Sequence, residues 1–223
     1  MATHPTTVTI YGRLSFPVFT HAEAVTRNAT SPYPIADASK VAPGFNLLLE
    51  QPQFDKFVNF VTNDFLPYCA QQHAAGEKKD ALDPRDVTRI LKIFPNDLGS
   101  QPPYVPLKEV SEKSLELMPS ALASLKVSGR QGQDLTQMAI VNDESELLVP
   151  DPDLITFPVI KPISQTVHDL YPGCYAAATL NLYAYKSGAL PGFSASAGTL
   201  VFKAGADRFG GGIEIDEAAM FLD

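Results

Sequence analysis

Apolar and polar residues alternate cleanly near the start of the chain. Val8, Ile10, Leu14 and Phe16 fall on one face, and Thr9, Tyr11, Arg13 and Ser15 on the other. A period of two predicts a half-buried strand. Gly12 stands on the apolar face and marks a bulge or a close backbone approach. Pro17 stops the ladder. Residues 20–43, rich in Ala, Thr, Ser, Asn and Pro, read as a long loop, and Phe45 to Glu50 as a short apolar strand. Between Phe54 and His73 the period changes. Phe54, Phe57, Val58, Val61, Phe65 and Leu66 recur at three and four residues, which predicts a helix that Pro67 kinks or ends. Asp83-Pro84 resembles an N-cap followed by a first-turn proline, opening a helix through Ile93 with Arg85, Arg89 and Lys92 on a solvated basic face.

Beyond this point proline breaks the pattern. Pro95, Pro102, Pro103 and Pro106 make residues 95–108 irregular, and Ser111 to Leu125 has helical character interrupted by Pro119. Thr136 to Asn142 and Leu154 to Ile160 read as strands around the acidic segment Asp143 to Asp153. The last third is the most β-rich, with strands at Cys174 to Tyr185 and Gly198 to Lys203. The class that results is mainly β with α insertions, an α+β chain with long Pro-rich loops.

Composition narrows the function. A chain of 223 residues with 45% hydrophobic and 19% charged residues suits one sizeable domain. No apolar run approaches the roughly 18 residues that span a bilayer, so no membrane association is expected. The polar start, Met1 to Thr7, carries no secretory pattern. Cys69 and Cys174 read as two reduced, buried thiols. The formal net charge of −8 argues against general adhesion to nucleic acid. The final ten residues hold four of the 25 acids and no base, so the body stays acidic. Any nucleic-acid site must therefore be a local basic stripe.

Catalytic signatures are missing. The chain has no phosphate-binding Gly-rich loop, no H-E-x-x-H, no C-x-x-C and no Gly-x-Ser-x-Gly. His168-Asp169 reads as part of a turn before Tyr171-Pro172-Gly173, and Asp143, Glu144 and Glu146 as a solvated loop. No catalytic residue, metal or cofactor is expected.

The strand at 175–186 carries more chemistry. Ala176, Ala178, Leu180, Leu182 and Ala184 face a core, while Tyr175, Tyr183 and Tyr185 share the opposite face with Lys186 at its end. Tyrosine rings on an open sheet are stacking platforms for unpaired bases, and nearby cations add phosphate contacts. Tyr11 and Arg13 repeat the pairing on the first strand, and Lys203 and Arg208 lie around the last. Two such strands suit a groove of the oligonucleotide-binding (OB) type, provided they are neighbours. The same rings could equally pack beneath a loop. At the C-terminus, Phe209-Gly210-Gly211-Gly212 forms a flexible link. Glu214, Asp216, Glu217 and Asp223 follow, mixed with Ile215, Met220, Phe221 and Leu222. This composition fits a tail that docks on partners or competes with DNA for a basic groove.

These landmarks together resemble a known family. Gly12-Arg13-Leu14-Ser15-Phe16-Pro17, Tyr171-Pro172-Gly173-Cys174-Tyr175, and Val201-Phe202-Lys203 leading to Arg208-Phe209-Gly210-Gly211-Gly212 are similar to those of tailed-phage single-stranded-DNA-binding proteins. The resemblance covers the first strands and roughly the last fifty residues; the central region, 70–165, is not covered. It implies an OB-fold five-stranded barrel with extra helices over residues 1–212, and a flexible acidic tail over 213–223. It also implies binding through Tyr11, Arg13, Tyr175, Tyr183, Tyr185, Lys186, Lys203 and Arg208. The chain departs from the family in having no charge over Gly188 to Ala197.

The resulting expectation is a non-enzymatic protein that coats single-stranded DNA during phage DNA replication or recombination, in the cytoplasm of an infected bacterium. Duplex would bind more weakly, and the tail would recruit replication or recombination proteins. One alternative is a virion or assembly protein without nucleic-acid affinity. The other is a magnesium-dependent nucleic-acid enzyme using Asp143, Glu144 and Glu146.

Overall fold

Alternate side chains of the first strand, β1 (Thr7–Val18), enter the interior: Ile10 and Leu14 are fully buried and Val8 nearly so. The structure, a computed structural model, describes residues 4–98, 103–135, 138–140, 160–161, 172–187, 190–203 and 209. Seven further strands follow: β2 (Gly44–Leu49), β3 (Leu107–Lys108), β4 (Ala123–Ser128), β5 (Met138–Ile140), β6 (Ile160–Lys161), β7 (Tyr175–Ser187) and β8 (Leu190–Lys203). β1 pairs antiparallel with β2 and with β7, β2 with β4, and β7 with β8. A parallel pairing of β4 with β8, Val127 opposite Ala195 and Ser128 opposite Ser196, closes the ring. The cycle β1–β2–β4–β8–β7 is a closed five-stranded mixed barrel of the OB type. Closure joins β4 to β8 across the seam, while β3 and the β5–β6 pair attach outside the ring.

The barrel interior is made of the positions that alternate inward. Leu47 and Leu49 come from β2, Leu125 and Val127 from β4, Ala176, Ala178, Leu180 and Leu182 from β7, and Phe193 and Ala195 from β8. Gly12 lets β1 approach β2 closely, because a β-carbon there would lie 2.6 Å from the Leu48 carbonyl oxygen. The close approach expected from its place in the pattern is therefore present.

An inserted helical unit lies between β2 and β3. α2 (Gln51–Phe60), a π-helical turn (Val61–Phe65) and α3 (Leu66–Ala74) follow without a break, and α4 (Pro84–Ile93) comes after a short connection. Pro67 does not end the rod. The turn just before it is widened, with the Leu66 N–H reaching the Val61 carbonyl, and this extra residue makes room for a proline ring near the start of α3. Asp83 caps α4 as its sequence predicts, accepting from the Arg85 and Asp86 N–H groups. The unit plugs the barrel with aromatic rings. Phe65 packs 5.5 Å from Phe193 of β8, Phe94 packs 5.8 Å from Phe193, and Phe57 packs 6.4 Å from Phe94. Beyond the end of β1, the free edge of β7 is satisfied by the buried Asp80 carboxylate, which accepts from the Ala184 N–H at 3.0 Å.

Four expectations need correction. Phe16 does not join the apolar face: the β1–β2 register shifts between Ser15 and Val18, and the ring turns out to solvent. Residues 20–43 are not all loop, because α1 (His21–Ala29) forms there, capped by Thr20 and packed through Ala24 against Val18 and Val41. Ser111 to Leu125 divides into α5 (Glu112–Leu117), capped by Ser111, and the start of β4. The alternation Ala123, Leu125, Val127 against Ser124, Lys126, Ser128 is strand-like, but it abuts a leucine-rich helical segment that masks its period. The last strand begins at Leu190, so most of the uncharged stretch 188–197 is strand rather than connection. Pro191 and Gly192 weaken its strand signal, which Phe193 and Ala195 restore by pointing inward. Of the two central strands, β5 lies inside the first and β6 at the end of the second; the acidic segment Asp143 to Asp153 lies outside the described residues.

Candidate nucleic-acid interface

In an OB barrel, the outer face of the second and third strands, with the loops joining strands 1–2 and 4–5, is the surface suited to oligonucleotides. Here that surface is the outside of β2 and β4, the segment 19–43, and the β7–β8 hairpin. Lys126 of β4 stands opposite Asn46 of β2, and Lys108 of β3 stands opposite Ser124. Ser124 and Lys126 share a face two residues apart, so the two lysines lie diagonally on one patch. The Lys126 ammonium sits below the usual lysine range, first because the concave surroundings reduce its hydration and second because Lys108 is close.

Tyrosines form the adjoining wall. Tyr104 extends the barrel edge: its N–H donates to the Pro191 carbonyl at 3.3 Å, and its carbonyl accepts from the Phe193 N–H at 2.9 Å. Tyr183 and Tyr185 lie 6.2 Å apart with their rings tilted by 40°. Burial, then Tyr183 and Tyr104, raise the Tyr185 phenol above its ordinary value. Tyr183 and Tyr104 both remain exposed, at 39% and 37%.

Two concavities meet at Lys126. The smaller, about 160 Å³, takes in Tyr104, Lys108, Tyr185 and Ser194. The larger, about 560 Å³, takes in Phe16, Arg27, Lys40, Asn46 and Tyr183. Among the described residues, neither is lined by a carboxylate. Lys40 is paired with Asp37 at 3.7 Å on the rim. On a chain of net charge −8 this is the local basic stripe that nucleic-acid contact requires.

The residues singled out from sequence separate into two places. Tyr183 and Tyr185 belong to this groove. Tyr11, Arg13 and Tyr175 gather eight or more residues away along β7, about 26 Å at 3.3 Å per residue. There the Tyr11 and Tyr175 rings stack 5.8 Å apart and nearly parallel. The Arg13 guanidinium lies 5.3 Å from the Tyr175 ring centre and 4.3 Å from that of Phe209, and its Nε donates to the Gly173 carbonyl at 2.8 Å. Burial, then Tyr175 and Glu50, push the Tyr11 phenol up to about 12.

Lys186 is engaged elsewhere. It pairs with the buried Asp86 at 2.5 Å and with Asp83 at 3.6 Å, tying β7 to α4. Arg89, on the expected basic face of α4, also reaches Asp86, at 3.7 Å. Lys203 stands opposite Tyr175 in the β7–β8 register. Arg208 and the tail residues Glu214, Asp216, Glu217, Met220, Phe221, Leu222 and Asp223 lie outside the described residues. Sequence reasoning missed Tyr104, Lys108 and Lys126. Only the alternation around Lys126 offered a signal, because Tyr104 and Lys108 sit in a proline-rich stretch without periodicity.

Searches of the solved structures return a single-stranded-DNA-binding protein from bacteriophage Enc34. Its complex with single-stranded DNA superposes with a TM-score of 0.54 at 9% identity, covering 92% of this chain and 90% of that one. The chain shares its fold with a phage single-stranded-DNA-binding protein. The same protein without DNA gives a TM-score of 0.51 at 8% identity, covering 97% of this chain and 90% of that one. A C-terminally truncated form gives 0.52 at 9% identity, covering 92% and 88%. No family model and no curated protein sequence matches.

Proposed function

We propose that this chain binds single-stranded DNA in the groove running from Tyr104 and Tyr185 past Lys126 to Arg27, largely without sequence preference. The observation that carries the reading is the coincidence of three tyrosines, Lys108 and Lys126 along concavities whose described lining holds no carboxylate, on an acidic chain. Stacking accepts any base, because every base has a π-face, and the lysines meet phosphates. The Enc34 protein that shares this fold has been seen bound to single-stranded DNA, which supports the reading. Duplex competes weakly, since its bases are already stacked. Tyr11, Arg13 and Tyr175 satisfy one another and contribute through the fold rather than through direct contact.

The role is a non-enzymatic one in phage DNA replication or recombination, within the cytoplasm of an infected bacterium. The acidic tail, 213–223, recruits the proteins of those processes. Fluorescence anisotropy with a labelled oligo-dT, at low and high salt and with matched duplex as competitor, tests the reading. Salt-sensitive binding that duplex displaces poorly is expected. Substituting Tyr183 or Tyr185 by Ala should each weaken it by about 1 to 3 kcal/mol. Absence of binding at low salt, with and without the tail, would overturn the reading and favour an assembly role.

A further inference from the structure

Phe16 occupies a position that neither its sequence pattern nor its packing accounts for. Alternation along β1 directs it inward, yet the ring is 51% exposed. Its backbone has φ of 49°, in the left-handed region where glycine and asparagine are at home and a bulky aromatic residue is an outlier. It also precedes a proline, a place where extended backbone is the norm. Such outliers persist where surrounding structure holds them, and they concentrate at binding sites. The holding contacts are present: the β1–β2 register shifts here, and Arg27 of α1 donates from Nη1 to the Phe16 carbonyl at 3.3 Å.

Phe16 lines the larger groove together with Lys126, Tyr183, Arg27 and Lys40, the last paired with Asp37 on the rim. This repeats the composition of the tyrosine wall, an aromatic side chain beside cations, within the adjoining concavity. We propose that Phe16 is a second base-stacking station for single-stranded DNA, with Arg27 and Lys40 meeting the neighbouring phosphates. The inference rests on the groove reading and extends the strand's path beyond the tyrosines, over α1. The ring also borders a separate cavity of about 340 Å³ lined by Phe19, Leu117 and Phe209. A mere lid over that cavity would act on stability and not on DNA.

Phe16→Gly separates these roles, because glycine removes the ring while easing the backbone. The measurement is affinity across oligo-dT lengths together with the thermal midpoint. The expected result is a loss of about fivefold or more for long oligonucleotides, no loss for the shortest that bind, and an unchanged or higher midpoint. Phe16→Trp should restore the affinity for long oligonucleotides. Oligonucleotides carrying 5-iodouracil should crosslink on irradiation to the peptide containing Phe16. Affinity unchanged at every length, with a lowered midpoint, would overturn the inference and leave Phe16 a lid, while wild-type binding would keep the groove reading intact. Failure of the wild-type protein to bind any oligonucleotide would overturn both.

Discussion

Gly192 makes room for Tyr104 and Tyr185 at once: a β-carbon on it would lie 2.9 Å from the Tyr104 carbonyl oxygen and 3.2 Å from Cζ of Tyr185. The first of these contacts is with backbone and cannot be relieved by a rotamer change. The bridge between Tyr104 and β8 must open instead. Gly192→Ala should therefore lower stability by about 1 to 2 kcal/mol and weaken oligo-dT binding severalfold, as the tyrosine wall is displaced. Denaturant unfolding and anisotropy on the same preparation check both parts.

Lys108 and Lys126 should account for part of the salt dependence. Each phosphate neutralised contributes about 0.7 to the slope of log K against log salt for a single strand. Lys126→Gln and Lys108→Gln should each flatten the slope by about that amount with little change in thermal midpoint. A slope unchanged in both variants would place the phosphates elsewhere. Because its surroundings hold Lys126 below the ordinary lysine range, its charge is lost at lower pH than an ordinary lysine's, so the slope of the wild-type protein should begin to fall below that range.

Lys186 should behave differently. Removing its ammonium leaves the buried Asp86 carboxylate, among the described residues, with the longer contact to Arg89. Lys186→Met should destabilise the fold by about 1 to 3 kcal/mol, less than the loss of a wholly isolated buried pair, because the lysine is partly exposed. Asp86→Asn in the same background should recover part of that loss. The salt slope of DNA binding should stay as in the wild type, and a flattened slope would return Lys186 to the DNA contact set.

Tyr11 carries an alkaline signature. Its phenol is pushed up to about 12 in the folded chain, against an ordinary value of 10.0, chiefly by burial. A group raised in this way contributes stability fully below pH 10, and the contribution is lost as pH climbs toward 12. Absorbance titration of phenolate should show a late-ionising component to which both Tyr11 and Tyr185 contribute, and Tyr11→Phe should diminish it. The variant should also lessen the alkaline loss of stability, measured by urea unfolding across the same pH range.

Much of the fold was legible because its signals are local. The inward run Ala176, Ala178, Leu180 and Leu182, the Asp83 cap with Pro84, and the tight contact at Gly12 each follow from spacing within a few residues. The same locality misled at Phe16, where alternation continues in sequence while the strand register shifts. It also hid β4, whose alternation begins where a helical leucine pattern ends.

The sequence by itself determined which side chains turn inward on β1 as far as Leu14 and along β7, and that tyrosines line the outer face of β7. Only the tertiary structure decided which tyrosines share a surface with cations. The parallel pairing of Val127 with Ala195 brings β4 against β8, and with it Lys126 against the tyrosine wall. Strand period reports the face a residue takes, whereas barrel closure joins strands far apart in the chain, and no local period encodes that pairing.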